Sequence, residues 1–261
     1  MPDWATFIAA GNQPFVFSPF VVAAENIVWL DFSDNTTTFQ DTSATTVASA
    51  NSDPIGRVND KSGFGLNVHQ SSNALRPLLV PGETNSRNVC NFFFGTAGIL
   101  NFSQSAFDSL SLLEAEAFIV CRVDLDPPLD AADSGIWNFG TDQVNPVSHY
   151  PFTDSIIYDG FCSTVRKKTI NPTTDLAITY RVYNPSAGVS VWSSRVNSEV
   201  VQANTDNTFS ISTSCTLGGT TLGLGRYFKG QICEFLLYAN TLNATDRTTI
   251  LTGLQRKWGL L

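Results

Sequence analysis

From Ile232 to Tyr238 the chain carries an apolar run of aromatic and branched residues, broken only by Glu234, behind a glycine-bearing turn. A run of this length and composition predicts a buried strand. A lone carboxylate inside such a strand is costly, so Glu234 requires a partner or an edge. The chain then turns through 240–243, where Asn243 is placed to cap a helix and Asp246 to favour its positive end. Ile250, Leu251, Leu254 and Trp258 fall at helical spacing, and Gly259 stops the helix. A buried strand that hands over to one amphipathic helix is the feature the remaining chain has to accommodate.

Upstream the pattern is one of short strands. Ile27–Phe32, Val89–Phe94, Phe118–Val123, Ile136–Phe139, Ser155–Tyr158, Ala177–Tyr183, Val189–Trp192, Val200–Ala203, Phe209–Thr213 and Thr221–Leu224 read as strands, with Ser194–Glu199 as a hairpin turn and Asp60-Lys61-Ser62-Gly63 as a turn within Val58–Val68. Residues 33–53 are Asp, Asn, Thr and Ser and read as a rim loop or weakly paired edge. Short strands at this spacing with one good helix predict a β-sandwich or barrel. Residues 1–24 stand apart: they hold Trp4, Phe7, Phe15, Phe17 and Phe20 without clean periodicity, punctuated by Gly and Pro. They read as an extended arm, with 25–261 as one domain.

Composition narrows the function classes. The net charge is −8, and Arg166-Lys167-Lys168 is the only basic run, which argues against nucleic-acid binding. No stretch reaches the length of a membrane span, and Met1-Pro2-Asp3 is no signal-peptide start. The five cysteines show no close pair and read as buried free thiols. These features suggest a protein made in the cytoplasm.

Phe228-Lys229-Gly230-Gln231-Ile232, Glu234, Leu237-Tyr238, Asn243, Asp246-Arg247 and Trp258-Gly259-Leu260 together resemble the closing strand and helix of concanavalin A-like, laminin-G-like jelly rolls. Trp29-Leu30-Asp31, Asp60-Lys61-Ser62-Gly63 and Arg76-Pro77 agree with that resemblance. The segment from His149 to Asp159, with Arg166 after it, is similar to the middle of the versions found in phage and bacterial surface proteins. The resemblance covers residues 25–261. It implies an all-β, two-sheet antiparallel jelly-roll sandwich with an N-terminal arm and one C-terminal helix.

Hydrolases sharing the fold hold their acids as E-x-D-x-x-E on one strand, whereas here Glu114-Ala-Glu116 lacks the third acid, so the pair reads as solvated acids at a strand entrance. His69 and His149 stand in no nucleophile context. No cofactor is expected, with calcium as the alternative at Asp124, Asp126, Asp130 and Asp133, since hard cations take oxygen ligands. For glycans the resemblance points to Tyr150, Tyr158, Asp159, Arg166 and Trp192, each with a core role as its alternative.

The resulting expectation is a non-enzymatic virion module of a tailed phage: a fibre, tail-tip or capsid decoration. It would be a homo-oligomer docked to other virion proteins through the aromatics of its arm, with host surface glycans as candidate ligands. The alternatives are a glycan-degrading hydrolase with an atypical acid pair and a secreted carbohydrate-binding adhesin.

Overall fold

The computed structural model describes residues 17–92, 98–103, 107, 110–130, 134–142, 148–169, 175–219 and 226–261. In chain order it contains β1 (Asn26–Asp31), β2 (Thr38–Phe39), β3 (Arg57–Val58), β4 (Val68–His69), β5 (Leu78–Thr84), β6 (Arg87–Asn91), β7 (Leu100–Phe102) and β8 (Glu114–Val123). There follow β9 (Gly135–Asn138), β10 (Ser148–His149), β11 (Tyr158–Asp159), β12 (Lys167–Lys168), β13 (Arg181–Gly188) and β14 (Val191–Val196). The last elements are β15 (Glu199–Thr205), β16 (Thr216–Leu217), β17 (Gly230–Tyr238) and helix α1 (Ala244–Trp258).

One antiparallel sheet runs β15-β14-β13-β8-β17-β6-β5, with β1 beside the second half of β17. The other runs β12-β11-β10-β9-β16-β7-β4-β3-β2. The two face each other across a core in which Phe235 of the first sheet stacks on Phe139, 5.6 Å away, and meets Trp137 of β9 edge-on at 6.1 Å. The expected two-sheet sandwich with a C-terminal helix is therefore the architecture found. The five cysteines are free and buried. Among the described residues no helix is long and apolar enough to cross a membrane.

The second face of the first sheet is covered by α1. Phe118, Val120, Val182, Leu236 and Tyr238 pack there against Ile250, Leu254 and Trp258. The helix begins where expected: Asn243 Oδ1 accepts from Asp246 N at 2.9 Å, and Gly259 closes it with φ of 67°, a left-handed value that suits glycine. Every residue of β17 is buried because the strand has a core on each side.

Alternation along β17 would aim Glu234 into the inter-sheet core, and a bulge prevents it. Ile232 lies opposite Cys121 and Glu234 opposite Val120, so two steps on β17 match one on β8. Cys233 and Glu234 thereby both lie on the helix side. There Lys257 Nζ of α1 sits 2.8 Å from Glu234 Oε2 and 2.8 Å from Asp31 Oδ2 of β1. Trp29 Nε1 and Trp258 Nε1 each donate to Glu234 at 2.7 Å. Burial works to raise the Asp31 carboxyl, but Lys257 and Lys61 outweigh it and hold the group below its usual value. For Glu234 burial wins over Lys257 and pushes the carboxyl up.

The arm departs from expectation where it is described. Phe17 is buried in the helix-side core, against Gly253, where any Cβ would collide with its ring. Tyr238 Oη donates to Pro19 O at 3.0 Å, and Phe20 meets Trp29 edge-on at 5.7 Å while staying half exposed. Phe17 thus belongs to its own sandwich and is not available to dock a partner, because the small Gly253 leaves a socket that the ring fills. Trp4, Phe7 and Phe15 lie outside the described residues.

The strand read as Ala177–Tyr183 also differs. It begins at Arg181 and continues through Pro185 to Gly188. Proline has no N–H for the ladder, which argues against a central strand. From the register, Ala117 lies opposite Pro185, and Asn184 Nδ2 donates to Ala117 O at 2.8 Å. The neighbouring amide supplies the donor that the proline lacks.

Removing one partner from a buried ionic cluster leaves an uncompensated charge, at a cost of about 3–5 kcal/mol. Lys257→Met should lose about that much in chemical denaturation, whereas Glu234→Gln should lose less, since Asp31 still pairs with Lys257 and the amide oxygen keeps an acceptor for one of the two indoles. Equal losses from the two variants would show that Lys257 is not the group the cluster depends on.

Candidate functional site

Strand β8 crosses the first sheet, and each of its ends opens on a cavity. At the Glu114 end three neighbouring strand ends meet: the start of β1, the end of β17 and the start of β8. Glu25 enters β1 there, its carbonyl accepting from Ala239 N at 3.0 Å. Glu25, Asn240 and Glu114 line a groove of roughly 560 Å³, together with Leu110, Leu112 and Leu113. Glu114 is positioned by Thr241, whose N and Oγ1 donate to Oε2 at 3.2 and 2.7 Å. Adjacent strands lie about 4.8 Å apart, so the backbones carrying the two glutamates are roughly 10 Å apart.

Glu116 shares the outward face of β8 with Glu114 but has a different role. It is fully buried, Arg247 grips both of its oxygens at 2.6 and 2.9 Å, and Asn184 Nδ2 and Leu242 N donate to it as well. This carboxylate ties α1 to the sheet and has no access to a ligand. The expectation that both acids are solvated therefore fails for Glu116.

The opposite end of β8 holds a smaller cavity of about 200 Å³, lined by Asp124, Leu125, Leu129, Ser134, Pro151 and Lys229. Its walls are mostly apolar, and Asp124 is the one carboxylate among them. Burial raises the carboxyl of Asp124 against the pull of Arg122, and burial raises that of Asp126 as well. The calcium candidates are not gathered here. Asp124 lies 3.8 Å from Arg122, Asp126 Oδ2 accepts from Leu176 N at 2.8 Å, and Asp130 lies 3.8 Å from Arg226. Asp133 lies outside the described residues, among which no group of three His, Cys, Asp or Glu is placed to hold a metal ion.

Three of the five glycan candidates are interior. Trp192 is fully buried, its indole donating to Phe161 O at 2.9 Å. Asp159 is fully buried and accepts from Trp137 Nε1, Ser148 Oγ, Phe161 N and Tyr183 Oη. Tyr150 is buried beside Tyr183. None of the three presents a face for a sugar ring. Tyr158 and Arg166 remain at the surface, with the Arg166 guanidinium 4.8 Å above the Tyr158 ring. That cation occupies the face on which a sugar would stack.

Glu25 was missed. It carries no motif, and only the pairing of β1 with β17, more than 200 residues later, brings it beside Glu114.

No family model and no curated protein matches the chain. Solved structures do match in fold. A Trypanosoma rangeli sialidase in complex with sialic acid superposes with a TM-score of 0.60 at 13% identity, covering 97% of this chain and 38% of that one. A GH54 α-L-arabinofuranosidase superposes with a TM-score of 0.55 at 10% identity, covering 89% of this chain and 63% of that one. The chain thus spans less than two thirds of either neighbour, and at this identity the likeness is one of fold. It is a β-sandwich shared with glycoside hydrolases. These neighbours, a sialidase and an arabinofuranosidase, run against the expectation of a non-enzymatic virion module, and nothing in them points to a phage particle.

Beside the smaller cavity, Ser134 Oγ and His149 Nδ1 lie 2.6 Å apart. Burial, with Arg166 and Arg226 nearby, lowers the His149 pKa from 6.5 to about 3. The folded value lies below the unfolded one, so between them the unfolded chain binds the extra proton. This contribution to stability is fully present above about pH 6.5 and is lost as pH falls toward about 3. The slope inside that window is about 1.4 kcal/mol per pH unit. Denaturation of the protein and of His149→Asn across that range should show a shallower fall for the variant. Parallel curves would mean that His149 is not held neutral.

Proposed function

We propose that the chain is a glycan-degrading hydrolase on a concanavalin A-like sandwich, with Glu25 and Glu114 as its acid pair. One observation carries this reading: two carboxylates line one open groove. Hydrolysis of a glycosidic bond needs one carboxyl to protonate the leaving oxygen and a second to activate water or attack the sugar. The smaller cavity offers one carboxylate and lacks that pairing. Thr241 fixes Glu114, and Asn240 between the acids offers an amide to sugar hydroxyls.

The test is release of reducing ends from a panel that includes bacterial surface polysaccharides, sialosides and α-L-arabinofuranosides. Glu25→Gln and Glu114→Gln should each lower the rate by about 10²–10⁴ while leaving the fold intact. Activity that survives both changes would move the site elsewhere. No release from any member of the panel would end the hydrolase reading.

A further inference from the structure

Several acids of this fold are neutralised by cations. Lys257 bridges Asp31 and Glu234, Arg247 holds Glu116, and Lys61 reaches Asp34 at 2.7 Å. The two acids of the groove are treated differently. Glu114 has neutral donors, the Thr241 amide and hydroxyl, and Glu25 stands exposed at the entry to β1. All 15 lysines and arginines and both histidines of the chain lie among the described residues, and none of them lines the groove. Arg247, the first cation after the loop that carries Asn240, is taken up by both oxygens of Glu116 and by Leu242 O. The groove therefore carries two acids with no cation along its lining, in a chain whose net charge is already −8.

Its other wall is apolar. Leu110 and Leu112 pack against the inter-sheet core, and Leu113 is 69% exposed in the groove. Leu110 N donates to Phe107 O at 3.0 Å and Leu112 N to Leu110 O at 2.8 Å, which fixes this wall just ahead of Glu114. A sugar ring carries hydroxyls round its edge and C–H groups on its faces. Leucines suit such a face, while Asn240 and the acids meet the hydroxyls, and an apolar lining with a few polar groups is the usual make-up of a ligand site.

We propose that the groove takes uncharged glycans and refuses anionic ones, uronides and sialosides included. A bound carboxylate is ordinarily met by an arginine or a lysine, and the guanidinium fork matches it best. In this groove it would be set against glutamates instead. Hydrolysis needs one of the two acids ionised, so at least one negative charge faces the sugar. Like charges brought together in a binding site are strongly unfavourable, and an unpaired charge aimed at the wrong ligand is a common source of specificity. This selectivity rests on the groove being the hydrolytic site, as proposed above.

The test uses matched nitrophenyl glycosides that differ only at the exocyclic carbon: hexosides, the corresponding uronides, and the methyl esters of those uronides. In each set that is cleaved, kcat/KM for the hexoside should exceed that for the uronide by about tenfold or more. The methyl ester has the uronide's shape without its charge and should recover most of the loss. Leu113→Lys, at an exposed position, should shift the ratio toward the uronide by about tenfold. A uronide cleaved as fast as its hexoside, a methyl ester as slow as the uronide, or a ratio unmoved by Leu113→Lys would overturn the proposal and leave the hydrolase reading in place. If no glycoside is cleaved, the hydrolase reading fails and binding decides the preference, read from NMR shifts of the Asn240 side-chain amide on titration with the same sets. Shifts with the hexosides and esters alone would uphold it, and shifts with the uronides, or with none of the three, would overturn it.

Discussion

Lys257 is the group on which the arrangement of the first sheet and α1 depends. It is almost fully buried and joins two carboxylates on neighbouring strands, Asp31 of β1 and Glu234 of β17. Taking these charges out of water is expensive, and the cost is met because nearly every lone pair has a donor: two indoles on Glu234, and Lys61 with Ser33 on Asp31. The cluster fixes where the last turn of the helix lies on the sheet. Glu116 and Arg247 do the same at the first turn. Two ionic ties at the two ends of α1 therefore set its registry, and the apolar contacts of Ile250 and Leu254 fill the space between them.

That registry positions the candidate site. The loop from Ala239 to Asn243 leads from β17 into α1, and its place is set by β17 on one side and by Arg247, which donates to Leu242 O, on the other. Thr241 in this loop holds Glu114, and Asn240 lies in the groove. Glu25 is fixed through the pairing of β1 with the same end of β17. The site is thus made of strand ends and one tight loop, tied to a doubly buried strand, and such sites keep their geometry better than free loops do.

The fold was legible where local pattern and burial agree. The run from Ile232 to Tyr238, the cap at Asn243 and the stop at Gly259 were all readable, and so was the demand of Glu234 for a partner. What could not be read were the features set by residues distant in sequence. The bulge at Cys233 is visible only from the register against β8. Pro185 hid half of β13, because the rule against proline in a central strand does not anticipate an adjacent Asn184 that supplies the missing donor. Phe17 looked like free aromatic surface because its socket is made by Gly253, more than 200 residues away. The site was less legible: Glu114 stands out only as an acid at a strand entrance and Glu25 carries no signal, since their proximity comes from a strand order that sequence spacing does not encode. Trp192 and Asp159 had the composition of a glycan site and proved to be core, because alternation along short strands decides which way each side chain faces.

The two ends of β8 then differ for a physical reason. At the Val123 end the nearby acids are spent on separate neighbours: Asp124 on Arg122, Asp126 on a backbone amide and Asp130 on Arg226. Burial there raises the carboxyls of Asp124 and Asp126, and the cavity is small and apolar. At the Glu114 end β17 finishes between β8, which begins with Glu114, and β1, which Glu25 leads into, so antiparallel pairing itself brings two carboxylates to one rim. A helix lies over the outer face of this sheet, and a second sheet lies against its inner face. Within the first sheet, the surface left for chemistry is therefore its rim, and the rim at the end of β17 is where a pair of acids is held over an open groove.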